Sequence, residues 1–166
     1  MPQAWDTTTA ARLRPDSLEF DYVTARWQLG GPVAFTATTL NEIFYGLHKA
    51  TLAGSSGAGA QLGWLRDQIA AGLIDVLAFE HQAADIAGAL RARMPTPPTS
   101  VAKRSKGRSK AEDRVAWVMD LQTSATVFVQ GYDLVTADAH HPVIAKELSV
   151  LAPAAPPLLI EAPPHL

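Results

Sequence analysis

Short apolar runs alternate with helix-period segments along this chain, and that alternation limits the possible folds more than any other feature. Val33-Ala34-Phe35 precedes a segment in which Leu40, Ile43, Phe44 and Leu47 recur at i, i+3, i+4 and i+7. Asp75 to Phe79 reads as a strand, and Glu80 to Arg93 as a helix with Ala83, Ile86, Ala87 and Leu90 inward. From Val115 a helix-period segment runs to a Gly131 stop, and a short apolar strand then ends at Thr136-Ala137-Asp138. Gln3-Ala4-Trp5 fits a short first strand, and Leu158-Leu159-Ile160 a final edge strand. The pattern predicts a three-layer α/β/α sandwich around a mainly parallel sheet of four or five strands. Right-handed crossovers then bring the strand C-termini to one edge, where such folds bind ligands.

Local signals place the remaining boundaries. Asp16 or Ser17 caps a helix through about Gln28, stopped by Gly30-Gly31-Pro32. Thr38-Thr39 opens the next helix, and Thr51 to Ala58, containing Gly54-Ser55-Ser56-Gly57, reads as a flexible connection. Leu62, Leu65 and Ile69 mark a helix ended by Gly72, and Pro142 to Leu148 a short late one. Residues 1–166 fit one domain, with a basic loop at about 95–112 and a Pro-rich C-terminal tail.

Composition excludes several classes. There is no cysteine, which removes disulfides and thiolate metal sites and leaves oxygen or imidazole as metal donors. No apolar run approaches the ~18 residues of a membrane span, and the first residues lack the basic and apolar regions of a signal peptide. No Gly-x-Ser-x-Gly, P-loop or dinucleotide fingerprint is present. The net charge of −2 is unremarkable, but six of the fourteen basic residues are Lys103, Arg104, Lys106, Arg108, Lys110 and Arg114. Such a segment would attract a polyanion through phosphate contacts, or serve as a solvated linker.

The chemistry lies in the acids. Asp6 and Asp138 follow strands, Glu42 lies on the first turn of the helix after the second strand, and Asp120 on the helix before the fourth. All four are compatible with one sheet edge. Carboxylates gathered in low dielectric without matching cations cannot all stay ionised. A hard divalent ion such as Mg²⁺ or Mn²⁺ resolves that conflict and suits phosphodiester hydrolysis by activating water and neutralising phosphate. Each acid also has a plainer reading. Glu42 fits a capping box with Thr39, Asp6 a turn or N-cap, Asp120 a solvated helix face, and Asp138 a cap of the following turn. His140-His141 beside Asp138 reads as a surface loop pair more readily than as part of a metal site.

These pieces together resemble a known family. Asp6-Thr7-Thr8, Thr36 to Glu42 with Tyr45-Gly46, Leu77-Ala78-Phe79 leading into Ala83 to Leu90, Asp120 to Ala125 and Gly131 to Asp138 stand in the order of a PIN domain of the VapC type. That family comprises the ribonuclease toxins of bacterial toxin–antitoxin pairs. The resemblance implies a Mg²⁺- or Mn²⁺-dependent endoribonuclease whose acidic quartet matches Asp6, Glu42, Asp120 and Asp138, supported by Thr8 and Thr136. It implies a cytoplasmic homodimer that acts on RNA and is inhibited by a small antitoxin protein in its groove. The chain departs from the pattern in four places. Pro2-Gln3-Ala4-Trp5 is short and poor where the first strand is normally a run of apolar residues, and Thr8 stands where Asn or Ser is frequent. His140-His141-Pro142 stands where an aromatic often follows the last acid, and the basic loop is longer than the usual connection. Asp113 offers a second acid near Asp120. The competing expectations are a catalytically degenerate PIN-like module that binds RNA or protein and, lower in rank, a phospho-receiver. The receiver would want adjacent acids after the first strand and a lysine after a late one.

Overall fold

The computed structural model describes residues 1–98 and 110–164. Five strands, β1 (Gln3–Trp5), β2 (Val33–Thr36), β3 (Ile74–Leu77), β4 (Asp133–Val135) and β5 (Ile160–Glu161), form one sheet in the order β3-β2-β1-β4-β5. Every pairing is parallel, with Trp5 opposite Phe35 on one side and Val135 on the other. Parallel strands need crossovers, and helices on both faces supply them.

The three-residue β1 is the centre of the sheet, and its composition follows from that place. Ala4 and Trp5 are fully buried, as expected of a strand covered on both faces. Gln3 is polar and buried, and it is satisfied. Its Oε1 accepts from the Tyr22 hydroxyl at 2.8 Å, and its amide nitrogen donates to Glu161 on the edge strand. Pro2 contributes its carbonyl, which accepts from Asp133 N at 2.9 Å, so the missing N–H costs no ladder bond there.

Alternate strand residues feed two cores. Ala4, Ala34 and Leu134 pack with Leu90, Trp117, Leu121 and Leu148 beneath α5 (His81–Arg93), α6 (Lys110–Gln130) and α7 (His140–Leu151). Trp5, Val33, Phe35 and Val135 pack with Val23, Leu40 and Leu65 beneath α2 (Leu18–Gln28), α3 (Ala37–Leu52) and α4 (Ser56–Ala70). The period of two along each strand thus divides the apolar side chains between the layers. Burying one such side chain, Phe35 for example, is worth roughly 1.5–3 kcal/mol.

Several boundaries differ from the sequence reading: β3 ends at Leu77 rather than Phe79, β5 is Ile160–Glu161 rather than Leu158 to Ile160, and three helix boundaries move. The expected connection from Thr51 to Ala58 shrinks to three residues, because α3 runs to Leu52 and the Ser55 side chain caps α4 by accepting from Ala58 N. The basic loop ends earlier than about 112, since α6 already includes Lys110, the first described residue there, and has Glu112 and Asp113 in its first turn. The late helix starts at His140 rather than Pro142, with the proline in its first turn, where a missing N–H is harmless.

The length of α6 has a further effect. From Asp120 to its end at Gln130 the helix rises about 15 Å, whereas the three residues of β4 that follow cover about 10 Å. Gly131, at φ +72°, makes the left-handed turn between them. Asp120 is thereby carried to the level at which the strands end.

Candidate active site

At the C-terminal edge of the sheet, the end of β1 passes straight into a four-residue helix, α1 (Thr7–Ala10), with Asp6 as its N-cap. The extended conformation of Asp6 turns its carboxylate back over the helix, where Oδ1 accepts from Thr9 N at 2.8 Å. Oδ2 accepts from the Thr136 hydroxyl at 2.7 Å, across the β1–β4 pairing. The residue is 3% exposed, so these donors are what keep the carboxylate soluble in the core.

Thr136 acts as a junction. Its Oγ1 donates to Asp6 and accepts from the backbone N–H of Asp138 at 2.9 Å, fixing the loop that follows β4. Asp138 then accepts through Oδ1 from His140 N at 2.8 Å, a local turn that sets its carboxylate against α6. His140 Nδ1 lies 2.8 Å from Asp120 Oδ2 and 3.5 Å from Asp138 Oδ1. Its ring meets Trp117 edge-on, with centroids 5.3 Å apart.

Glu42 arrives from the other side. The N-cap of α3 is Thr36, whose hydroxyl accepts from Thr39 N at 3.0 Å, which puts Glu42 in the second helical turn. The capping-box reading with Thr39 is therefore not realised; Glu42 instead accepts a hydrogen bond from the Thr7 hydroxyl. Thr36 Oγ1 also meets Thr123 Oγ1 at 3.5 Å, tying the start of α3 to α6.

Asp6, Glu42, Asp120 and Asp138 all line one cavity of about 140 Å³, together with Thr7, Thr8, Thr123, His140 and His141. Its described lining contains four carboxylates and no Lys or Arg. Donor atoms of Asp120, Asp138 and His140 all lie within 4.8 Å of one another, close enough to share a cation. Asp6 and Glu42 face the same cavity but fall outside that three-residue group. Exposed Thr8 lies on the rim, whereas Thr136 works from beneath through Asp6. Asp113 does not line the cavity.

The histidine pair departs from the surface-loop expectation. His141 is 2% exposed, and its Nδ1 is paired with Ser124 Oγ at 2.8 Å, a buried link between α7 and α6. His140 belongs to the acidic cluster. The available signal was an Asp-x-His spacing just past a strand, but the partner, Asp120, is twenty residues away in sequence. Thr7 and Thr123 were also missed, since a lone threonine beside an acid carries no spacing signal. Among the basic residues, Arg114 is exposed on α6. Lys103, Arg104, Lys106 and Arg108 lie outside the described residues, as does the Lys110 side chain.

The sheet order, the helices on both faces and the edge that gathers the acids define a PIN-like three-layer α/β/α fold. No family model and no curated protein sequence matches the chain. Solved structures do. A chain of VapBC2 from Rickettsia felis, crystallised bound to a DNA fragment from their promoter, superposes with a TM-score of 0.58 at 16% identity, covering 98% of both chains. DNA-bound VapBC from Salmonella typhimurium gives 0.57 at 17% identity, again over 98% of each chain. FitAcB from Neisseria gonorrhoeae gives 0.56 at 18% identity over 99% of each. At these identities the likeness is one of fold, a VapC-like PIN fold that extends over nearly the whole chain.

Proposed function

We propose that residues 1–166 form one PIN-like domain that is a metal-dependent endoribonuclease, the toxin of a toxin–antitoxin pair. The observation that carries this reading is the single cavity lined by four carboxylates without a described Lys or Arg. Such a cavity is electrostatically costly unless a divalent cation enters it. The donor set fits one: Asp6, Glu42, Asp120 and Asp138 offer hard oxygen ligands suited to Mg²⁺ or Mn²⁺. A cation held there supplies charge neutralisation at a phosphate and a more acidic water.

The chain's own groups do the positioning. Thr136 and Thr9 N hold the Asp6 carboxylate in one orientation, so it is offered to a cation without rearrangement. Thr7 does the same for Glu42, and the His140 backbone N–H for Asp138. Thr8 on the rim offers a hydroxyl to an incoming phosphate, and the segment from Lys103 to Arg114 supplies positive charge that draws in an RNA backbone. A protein antitoxin and a homodimer, with action in the cytoplasm, complete the proposal. It is supported by the fold shared with chains of VapBC and FitAcB. No helix among the described residues is long and apolar enough to cross a membrane.

The test is cleavage of single-stranded RNA in Mn²⁺ by the native protein and by Asp6→Ala and Asp138→Ala. Both variants should lose activity by roughly a hundredfold or more, a loss typical of removing a group that stabilises the transition state. Undiminished cleavage by both would overturn the assignment. Retained RNA binding with no Mn²⁺ uptake in calorimetry would instead favour a binding module.

A further inference from the structure

Four carboxylates make an all-oxygen site, but the structure adds a nitrogen to it. We infer that His140 Nδ1 is a direct ligand of the divalent cation held by Asp120 and Asp138, and that this mixed donor set selects Mn²⁺ over Mg²⁺. The inference rests on the metal-dependent reading above and specifies its ion.

Geometry comes first. Adjacent ligands of an octahedral ion at 2.0–2.1 Å from the metal lie about 3 Å apart. Nδ1 stands 2.8 Å from Asp120 Oδ2 and 3.5 Å from Asp138 Oδ1, values that straddle this separation. The three donors come from a mid-helix position on α6, the loop after β4 and the first residue of α7, so they converge from separate elements.

The imidazole is also held in place. Its ring rests edge-on against Trp117 at an interplanar angle of 81°. Trp117 is 1% exposed and is itself fixed by donation from Nε1 to the Met94 carbonyl at 2.7 Å. The backbone of His140 is tied to Asp138 Oδ1, one of the proposed ligand atoms. A solvated histidine on a loop would sample several rotamers; this one is pre-aimed at the acids, which lowers the entropic cost of coordination. The neighbouring His141 also lines the cavity, but its Nδ1 is engaged with Ser124 and its ring is not part of the group whose donor atoms lie within 4.8 Å of one another.

Donor chemistry then sets the ion. Mg²⁺ dehydrates reluctantly and takes oxygen ligands, whereas imidazole is a good donor to transition-series ions. Mn²⁺ accepts carboxylate, water and imidazole together, so a nitrogen in the set raises its affinity and leaves that of Mg²⁺ little changed.

The experiment is pulsed electron paramagnetic resonance on the full-length protein loaded with Mn²⁺, with calorimetric Mn²⁺ and Mg²⁺ affinities for the native protein and His140→Gln. The native spectrum should show the modulation of a directly bound ¹⁴N, and His140→Gln should lose it. The variant's Mn²⁺ affinity should fall by at least roughly tenfold, the smaller loss typical of removing a group that merely orients a ligand, with less than about a threefold change for Mg²⁺. The native spectrum decides the question even if the variant folds poorly. Bound Mn²⁺ without nitrogen modulation, modulation that persists in a folded His140→Gln, or an equal loss of both affinities would overturn the inference and leave the nuclease reading standing. A native protein that binds neither ion would overturn both.

Discussion

The two edges of the sheet are chemically opposite. At the C-terminal edge the cavity lining is polar apart from Ala116: four carboxylates, His140, His141 and three threonines. At the N-terminal edge a larger cavity of about 510 Å³ is lined largely by apolar side chains, including Ile86, Phe128, Tyr132 and Leu158. Strand direction explains the contrast. Parallel strands end where α1, α3 and α7 begin, so first-turn N–H groups and cap hydroxyls are available there to hold carboxylates. The opposite edge receives helix ends such as Gln130-Gly131 and the Pro-rich segment before β5, which offer carbonyls and apolar cover. Cavity size therefore does not mark the chemical site; the supply of donors does.

The sharpest way to break this comparison is to alter an acid at each edge. Asp138→Ala should reduce RNA cleavage by roughly a hundredfold or more, while Asp85→Ala, at the other cavity, should leave kcat/KM within about twofold of the native value. Equal losses from both would erase the distinction.

Packing should respond in the reverse sense. Leu158→Ala removes a side chain 6% exposed at the apolar edge and should cost about 2–3 kcal/mol in chemical denaturation. Activity per folded molecule should remain.

Thr136→Val tests whether the polar edge is a connected unit. It removes the donor to Asp6 and the acceptor for Asp138 N, so a loss of about 1–3 kcal/mol and a clear fall in cleavage should appear together. By contrast, Ser17→Ala, which deletes the cap of α2 and the exposed hydrogen bonds of Ser17 Oγ with Arg14, should cost about 1 kcal/mol with kinetics unchanged.

The smallest expected effect is a pH dependence at the apolar edge. Burial, and secondarily the charge of Asp75, raise the Tyr132 pKa above its ordinary value of 10.0. The folded state thus favours the neutral phenol, and that contribution is complete below pH 10 and declines as pH rises through the folded value. Tyr132→Phe should flatten the alkaline limb of the stability curve. A limb that stays unchanged would locate the titration elsewhere.

Much of this arrangement was legible in residue order. A short first strand directly before Asp6 was legible although its residues are a poor apolar run, and the α2 cap was narrowed to Asp16 or Ser17, of which the structure selects Ser17. Gly54 to Gly57 misled because glycine propensity favours a loop, yet packing of α4 against α3 and the Ser55 cap outweigh a cost of about 1 kcal/mol per glycine. Thr39 misled about Glu42 for a related reason. Several hydroxyls in a row can each cap a helix, and only the end of β2 selects Thr36.

Sequence by itself therefore determined the alternation, the parallel sheet and the placement of acids near strand ends, because these depend on periodicity and local hydrogen bonding. Tertiary structure decided which groups meet. It put Asp120 at the site by letting α6 overshoot a short strand, and it divided two adjacent histidines, burying His141 against Ser124 and setting His140 between Asp120 and Asp138. Neighbours in sequence share almost no information about such contacts, since one helical residue step rotates the side chain by about 100°. That rotation is why only the folded chain singles out His140, rather than His141, as the nitrogen beside Asp120 and Asp138.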